Sequence, residues 1–208
     1  MKIGVFDSGI GGLPIVNKLR GKFPDDEVIF IADRKHMPYG NKDKNLVIGY
    51  ANDIISKLEK RRVDVIVVAC GTVSSLIPFL RHNVKLIGII EPLCFEACKK
   101  TVNRKIGVIA TVNTINSQSF LNYINLIDDN IEVYPYACSD LASKIENRSS
   151  EEDIIYSLTD PLKYFDNLKV DTLILGCTHY SWIYELVKSR ASANNVICPT
   201  VLVDYINF

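Results

Sequence analysis

Val63-Asp-Val-Ile-Val-Val-Ala-Cys70 and Val170-Asp-Thr-Leu-Ile-Leu-Gly-Cys177 decide the fold. Each is an apolar run that ends on a cysteine. Apolar residues stand at consecutive positions rather than alternate ones, which suits a strand covered on both faces of a parallel sheet. The two runs lie at an offset of 107, and Lys2-Ile-Gly-Val-Phe-Asp-Ser8 matches Lys105-Ile-Gly-Val-Ile-Ala-Thr111 at an offset of 103. Similar strands arise easily by chance; a cysteine at the same end of both arises less easily. The order and near-equal offsets imply duplication of one α/β unit.

Outward from these runs, the same texture continues. Ile3 to Phe6, Val28 to Ala32, Leu86 to Ile90, Ile106 to Ile109, Ile131 to Tyr134, Thr172 to Leu175 and Val201 to Val203 read as strands. Amphipathic stretches such as Leu46 to Glu59 and Ser117 to Ile127 read as helices between them. Strand–helix alternation predicts an α/β fold with mostly parallel sheets. We therefore expect two pseudo-symmetric three-layer halves, residues 1–97 and 98–208, with a site in the cleft between them.

Composition narrows the class. The chain has 208 residues, 24 basic and 24 acidic side chains, and 48% hydrophobic residues. A formal net charge of zero offers no electrostatic footprint for nucleic acid or an anionic membrane, so neither is an expected partner. The apolar fraction is too high for a disordered chain. Runs such as Val65 to Cys70 are far too short to span a bilayer. Met1-Lys-Ile-Gly-Val-Phe-Asp7 meets a charge too early for a secretory signal, and a cytoplasmic protein is the expectation. Six cysteines in such a chain do not suggest a disulfide framework. Cys94 and Cys98, four apart, share a helix face and read as core. His36 and His82 read as solvent-facing, and three scattered histidines do not make a metal site.

Ligands of open α/β sheets bind beyond the carboxyl ends of the strands. Four polar segments fall there. Asp7-Ser-Gly-Ile-Gly-Gly12 follows the first strand, where glycines let backbone amides approach a ligand. It is neither a Walker loop nor G-x-G-x-x-G, because Pro14 takes the last glycine position, and a tight turn explains it equally well. Cys70-Gly-Thr72 and Cys177-Thr-His179 each join a strand to an expected helix, whose positive end is expected to lower the thiol pKa. Asp33-Arg-Lys-His-Met-Pro-Tyr-Gly40 contains a turn, with a Tyr39 hydroxyl beside backbone amides. Two thiols facing one another across a cleft suit inversion at an acidic carbon, one removing a proton while the other delivers one. Buried strand ends and a redox pair remain open alternatives on spacing alone.

Together these segments resemble the glutamate racemase family, within the wider aspartate/glutamate racemases. The matching stretches are Gly4-Val-Phe-Asp-Ser-Gly-Ile-Gly-Gly-Leu13, Pro38-Tyr-Gly40, Val67-Val-Ala-Cys70 with Thr72, Ile89-Ile-Glu-Pro92 and Leu173-Ile-Leu-Gly-Cys-Thr-His-Tyr180. The resemblance implies two α/β domains around a cleft and cofactor-free interconversion of L- and D-glutamate, with D-glutamate feeding peptidoglycan synthesis. It implies Cys70 as the thiol acting on the D-enantiomer, assisted by Asp7, and Cys177 on the L-enantiomer, assisted by His179. Glu146 matches a glutamate near the second thiol. The implied substrate-binding set is Asp7, Ser8, Pro38, Tyr39, Gly40, Gly71, Thr72, Thr111, Thr114, Thr178 and His179. No cofactor and no metal are implied, and the oligomeric state implied is a homodimer.

Four departures stand out. The family's Cys-Asn-Thr reads Cys70-Gly71-Thr72, and the lost amide is expected to leave a buried partner unpaired at about 1–3 kcal/mol, or to admit a water. Its Cys-Pro reads Cys138-Ser139, and its His-Tyr-Pro reads His179-Tyr180-Ser181. Family members also continue beyond the strand matched to Val201-Leu-Val-Asp204, with a segment that returns to the first half and is here largely absent. Two other functions remain open on these grounds: a racemase for aspartate or another amino acid, and a non-catalytic homologue that binds a dicarboxylate or a protein partner.

Overall fold

The computed structural model describes residues 1–207. In the first half, β1 (Lys2–Asp7), α1 (Leu13–Lys22), β2 (Glu27–Ala32), α2 (Lys44–Lys60), β3 (Val65–Val68), α3 (Gly71–Ser74) and β4 (Lys85–Gly88) build a parallel sheet of order β2-β1-β3-β4. After α4 (Ile90–Lys100), the second half runs β5 (Lys105–Ala110), α5 (Val112–Asn116), α6 (Ser119–Ile127), β6 (Glu132–Ala137), α7 (Leu141–Glu146), α8 (Glu151–Asn167), β7 (Thr172–Leu175), α9 (Tyr184–Arg190) and β8 (Asn195–Ile197). Its sheet is parallel in the equivalent order β6-β5-β7-β8. A short helix, α10 (Leu202–Tyr205), follows.

The duplication reaches into detail. Lys2 lies opposite Glu27 in one sheet, and Lys105 opposite Glu132 in the other. The residues before each Val-Asp pair, Arg62 and Lys169, both adopt left-handed backbone at φ 58° and 55°. The paired aspartates do related work: Asp64 accepts the Lys2 amide, and Asp171 accepts the amides of Val102 and Asn103 ahead of β5.

Both faces of each sheet are buried, which explains the consecutive apolar residues. In β3, Val65 and Val67 join a central core, while Ile66 and Val68 face a cluster beneath α2. The strand β7 divides likewise, Ile174 to the central core and Leu173 and Leu175 to a cluster under α8. That central core is shared by both halves and also takes residues of α1, α4 and α6. Helix α2 starts at Asp43, whose carboxylate accepts the Asn45 and Leu46 amides, and buries Val47, Ala51, Ile54, Ile55 and Leu58 along one stripe. Cys94 is fully buried in the shared core and Cys98 is packed against it, as expected of that face.

The expected strand Val201 to Val203 is not one. Pro199–Val201 form a 3₁₀ turn that leads into α10, and the last strand is β8, paired with Thr172 to Ile174 of β7. Once β8 holds that edge, Leu202 and Val203 are buried by folding back toward α1. There Lys22 donates to the Val203 and Ile206 carbonyls at 2.8 and 2.7 Å, and Lys18 pairs with Asp204 at 2.6 Å. Pro199, suited to a helical first turn, was the sequence signal. The expected boundary after residue 97 lies within α4, a helix that packs on α6 and β7. Among the described residues, no helix is long and apolar enough to cross a membrane.

Leu58 is fully buried, and its methyl carbons lie 3.3 Å from where a Cβ on Gly4 would sit. Leu58→Ala is expected to destabilise the fold by about 2–5 kcal/mol. Urea unfolding should show this as a lower midpoint at unchanged slope.

Candidate functional site

In a sheet of order β2-β1-β3-β4, the chain leaves β1 and β3 toward opposite sides, and a crevice opens between their carboxyl ends. Asp7 and Ser8 stand at the end of β1, with Cys70, Gly71 and Thr72 just beyond β3. The repeat places Thr111 and Thr114 beyond β5 and Cys177, Thr178 and His179 beyond β7. The two crevices face each other. Both thiols, with Ser8, Pro38, Tyr39, Gly40, Thr72, Thr111, Thr178 and His179, line one cavity of about 20 Å³ between the halves.

The surroundings of the two sulfurs differ. Cys70 Sγ donates to Ser8 Oγ at 3.6 Å. Burial, and next the charge of Asp7, push its thiol up to about 12. This reverses the expected lowering, because α3 is only four residues long and its end cannot offset desolvation beside a carboxylate. Asp7 itself is raised above its ordinary value by burial, against the pull of His179 and the Ser8 amide. Its Oδ1 accepts that amide at 2.7 Å, and its Oδ2 accepts the Thr178 hydroxyl at 3.1 Å.

Cys177 faces an imidazole instead. Its sulfur lies 3.8 Å from His179 Nδ1, and His179 Nε2 lies 2.7 Å from Glu146 Oε2. Burial by itself would lower the His179 pKa; the Cys177 sulfur and the Glu146 carboxylate outweigh it and raise the value to about 10. The same hydrogen bond holds Glu146 below the ordinary glutamate range. Glu146 also accepts the Ile10 amide of the first half at 2.8 Å, so the thiol–imidazole–carboxylate line is anchored across the cleft.

Hydroxyls and backbone complete the contact. Thr72 Oγ1 is 3.0 Å from Thr111 Oγ1, which is 2.8 Å from Thr114 Oγ1. Asn113, to which the sequence reading assigned no role, donates its side-chain amide to the Tyr39 and Lys42 carbonyls at 3.0 and 2.7 Å and its backbone amide to Gly40. Nothing in a single sequence marks it, since its partners are backbone atoms of a distant loop. Trp182 Nε1, also unassigned, donates to the Ile10 carbonyl at 3.3 Å.

The Tyr39 hydroxyl is committed to Asp33 at 2.5 Å, and its ring belongs to the first half's core. His36 is not simply solvent-facing: it pairs with Asp33 at 2.8 Å and stacks on Tyr50 at 4.0 Å. Asp33 organises both, which ties the loop ahead of Gly40 into the fold. His82 is exposed, as expected. A Cβ at residue 71 would lie 2.3 Å from the Gly176 carbonyl oxygen, and the buried side-chain polar atoms without a partner among the described residues are Tyr180 Oη and Ser181 Oγ. Among those residues no group of three His, Cys, Asp or Glu side chains could hold a metal ion.

Comparison with known proteins shows the family. Residues 15–203 match the family model described as Asp/Glu/Hydantoin racemase. A glutamate racemase of Thermoanaerobacter pseudethanolicus is 34% identical over 205 residues, covering 98% of this chain and 78% of that relative. A glutamate racemase from Francisella tularensis, solved in complex with D-glutamate, superposes with a TM-score of 0.87 at 31% identity, over 97% of this chain and 77% of that one. The racemase structure from Aquifex pyrophilus gives 0.82 at 32% identity, over 100% and 84%. The chain belongs to the Asp/Glu/Hydantoin racemase family.

His179 stands at about 10 when folded against 6.5 when free. The stability drawn from its pairing is therefore fully present below about 6.5 and is lost as pH rises through about 10. Urea titrations should show the deficit of His179→Asn relative to wild type shrinking over that range. A deficit independent of pH would contradict the assigned pairing.

Proposed function

We propose that this member of the Asp/Glu/Hydantoin racemase family interconverts L- and D-glutamate without a cofactor, using Cys70 and Cys177 as the two acid/base groups. One observation carries the reading: two thiols at equivalent strand ends line a single cavity and have different proton partners. A substrate α-carbon between them meets one sulfur on each face. The relatives' names supply the substrate, and peptidoglycan synthesis is the use the resemblance implies for the D-enantiomer.

From L-glutamate, the Cys177 thiolate takes the α-proton, and the C–H electron pair stays on carbon, delocalised into the adjacent carboxylate. The protonated Cys70 then delivers its proton to the opposite face. The D-enantiomer runs the sequence in reverse. His179 steadies the charge on Cys177 while Glu146 steadies His179; at Cys70 the Asp7 carboxylate holds the proton on the sulfur and Ser8 accepts its hydrogen bond. Hydroxyls of Thr72, Thr111 and Thr178, with the backbone amides of Tyr39 and Gly40, supply donors for the carboxylates, and Thr114 orients Thr111. A cavity of about 20 Å³ has room for little more than a water. The ten non-hydrogen atoms of glutamate need a wider cleft than this, and once they fill it they exclude solvent from the carbanion.

In D2O the protein is expected to invert glutamate and exchange its α-hydrogen without added cofactor. A panel of amino acids including aspartate tests substrate choice. Cys70→Ala and Cys177→Ala should each reduce inversion by roughly 10²–10⁴-fold. Full activity in both would sink the two-thiol mechanism.

Glu146→Gln leaves His179 without its carboxylate and should lower kcat/KM by on the order of 10-fold, less than the roughly 10²–10⁴-fold for loss of an acid/base group itself. The enantiomers have equal free energy, so the loss must be the same from either one; polarimetric rates in both directions check this.

A further inference from the structure

We propose that Ser143 is a specificity-determining residue that donates its hydroxyl to the side-chain carboxylate of the substrate, and this rests on the glutamate reading above. Ser143 lies in α7 and lines the cavity that holds both thiols, beside Ala142 and, from the turn before the helix, Ser139. It is half-buried, and its hydroxyl makes no hydrogen bond with any described residue. A serine within a helix commonly returns its hydroxyl to a carbonyl three or four residues back, or turns it to open solvent. Ser143 makes no such bond and borders the cavity instead.

The placement of this wall decides which end of a substrate it meets. β2 and β6 are edge strands of their sheets, and the loops that leave them meet where Asn41 donates its side-chain amide to the Ser139 carbonyl at 2.9 Å. The thiols follow β3 and β7, two strand positions inward from that flank. Thr72 and Thr178 stand within two residues of a thiol, so a carboxylate they hold is the one next to the α-carbon. The second carboxylate then extends toward the flank. There the buried amides of Tyr39 and Gly40 also lack a hydrogen-bond partner among the described residues. Two amides that can only donate, with an uncommitted hydroxyl across the cleft from them, match an anionic acceptor. No described lysine or arginine lines the cavity, so neutral donors must hold that charge.

The chemical consequence is discrimination rather than rate. A donor aimed at the distal carboxylate favours a substrate that carries one and offers nothing to a side chain that ends in a methyl group. Proton transfer at the α-carbon does not pass through it.

Ser143→Ala is the test, read by calorimetric binding of glutamate and of norvaline, which has the same carbon skeleton with a methyl group in place of the side-chain carboxylate. The variant is expected to bind glutamate about tenfold more weakly and norvaline within about twofold of wild type. In the inversion assay, KM for glutamate should rise by about the same tenfold factor while kcat moves less than about threefold. A glutamate-over-norvaline preference within about twofold of wild type would overturn the proposal, and so would an equal loss of both ligands. Wild type with no preference for glutamate over norvaline would overturn it together with the glutamate reading. Wild type that binds glutamate selectively through Ser143 but never inverts it would instead defeat the inversion reading and leave the role of Ser143 standing.

Discussion

Two parallel sheets share one apolar core, and that shared core constrains everything at the cleft. Ile3, Val5, Val65 and Val67 of the first sheet belong to the same cluster as Ile106, Val108 and Ile174 of the second, with α1, α4 and α6 among them. Burying these faces together holds the halves in one relative orientation, in which the carboxyl ends of β1 and β3 look toward those of β5 and β7. Polar groups placed there by strand ends meet across the cleft because the shared core sets those ends opposite one another. The short α10, folded back onto α1 by Lys18 and Lys22, adds to the same core from the far end of the chain.

The duplicated frame carries an unsymmetrical chemistry. Equivalent strand ends deliver a thiol each, yet Cys70 meets a hydroxyl and a desolvated carboxylate while Cys177 meets an imidazole backed by Glu146. A proton on Cys70 is thereby strongly held at neutral pH. On the other side, His179 keeps its own proton and faces the sulfur with positive charge. Glycine supplies the second means by which the frame becomes a site: at residues 9, 11, 40 and 71 the first half approaches the second more closely than a side chain would allow.

Much of the fold is legible along the chain, since its signals are local. Runs such as Val65 to Val68 and Thr172 to Leu175 announce buried parallel strands by continuous apolarity, and the repeated Val-Asp…Cys pattern announces the two halves. Val201 to Val203 misled because an apolar triplet fits a strand or a buried turn equally well; only the pairing of β8 with β7 excluded the strand. The thiol pKa misled for a related reason. A helix end can be inferred from sequence, but the desolvation that outweighs it at Cys70 depends on what packs around the sulfur. Asn113 was unreadable because hydrogen bonds to the carbonyls of Tyr39 and Lys42 leave no mark on either side chain.

By itself the sequence determined the α/β class, the duplication, and the chemical identity of the groups at the strand ends: two thiols, an aspartate, a histidine and a set of threonines. These follow from periodicity and from position after a strand, which are properties of neighbouring residues. The tertiary structure alone decided which of those groups touch. It set Glu146 on His179, Thr178 on Asp7, Thr72 on Thr111, and the backbone of Gly176 in the space beside Gly71. Contacts between halves some hundred residues apart depend on how two sheets pack, and distances of a few tenths of an ångström there are set by burial and excluded volume rather than by any local pattern.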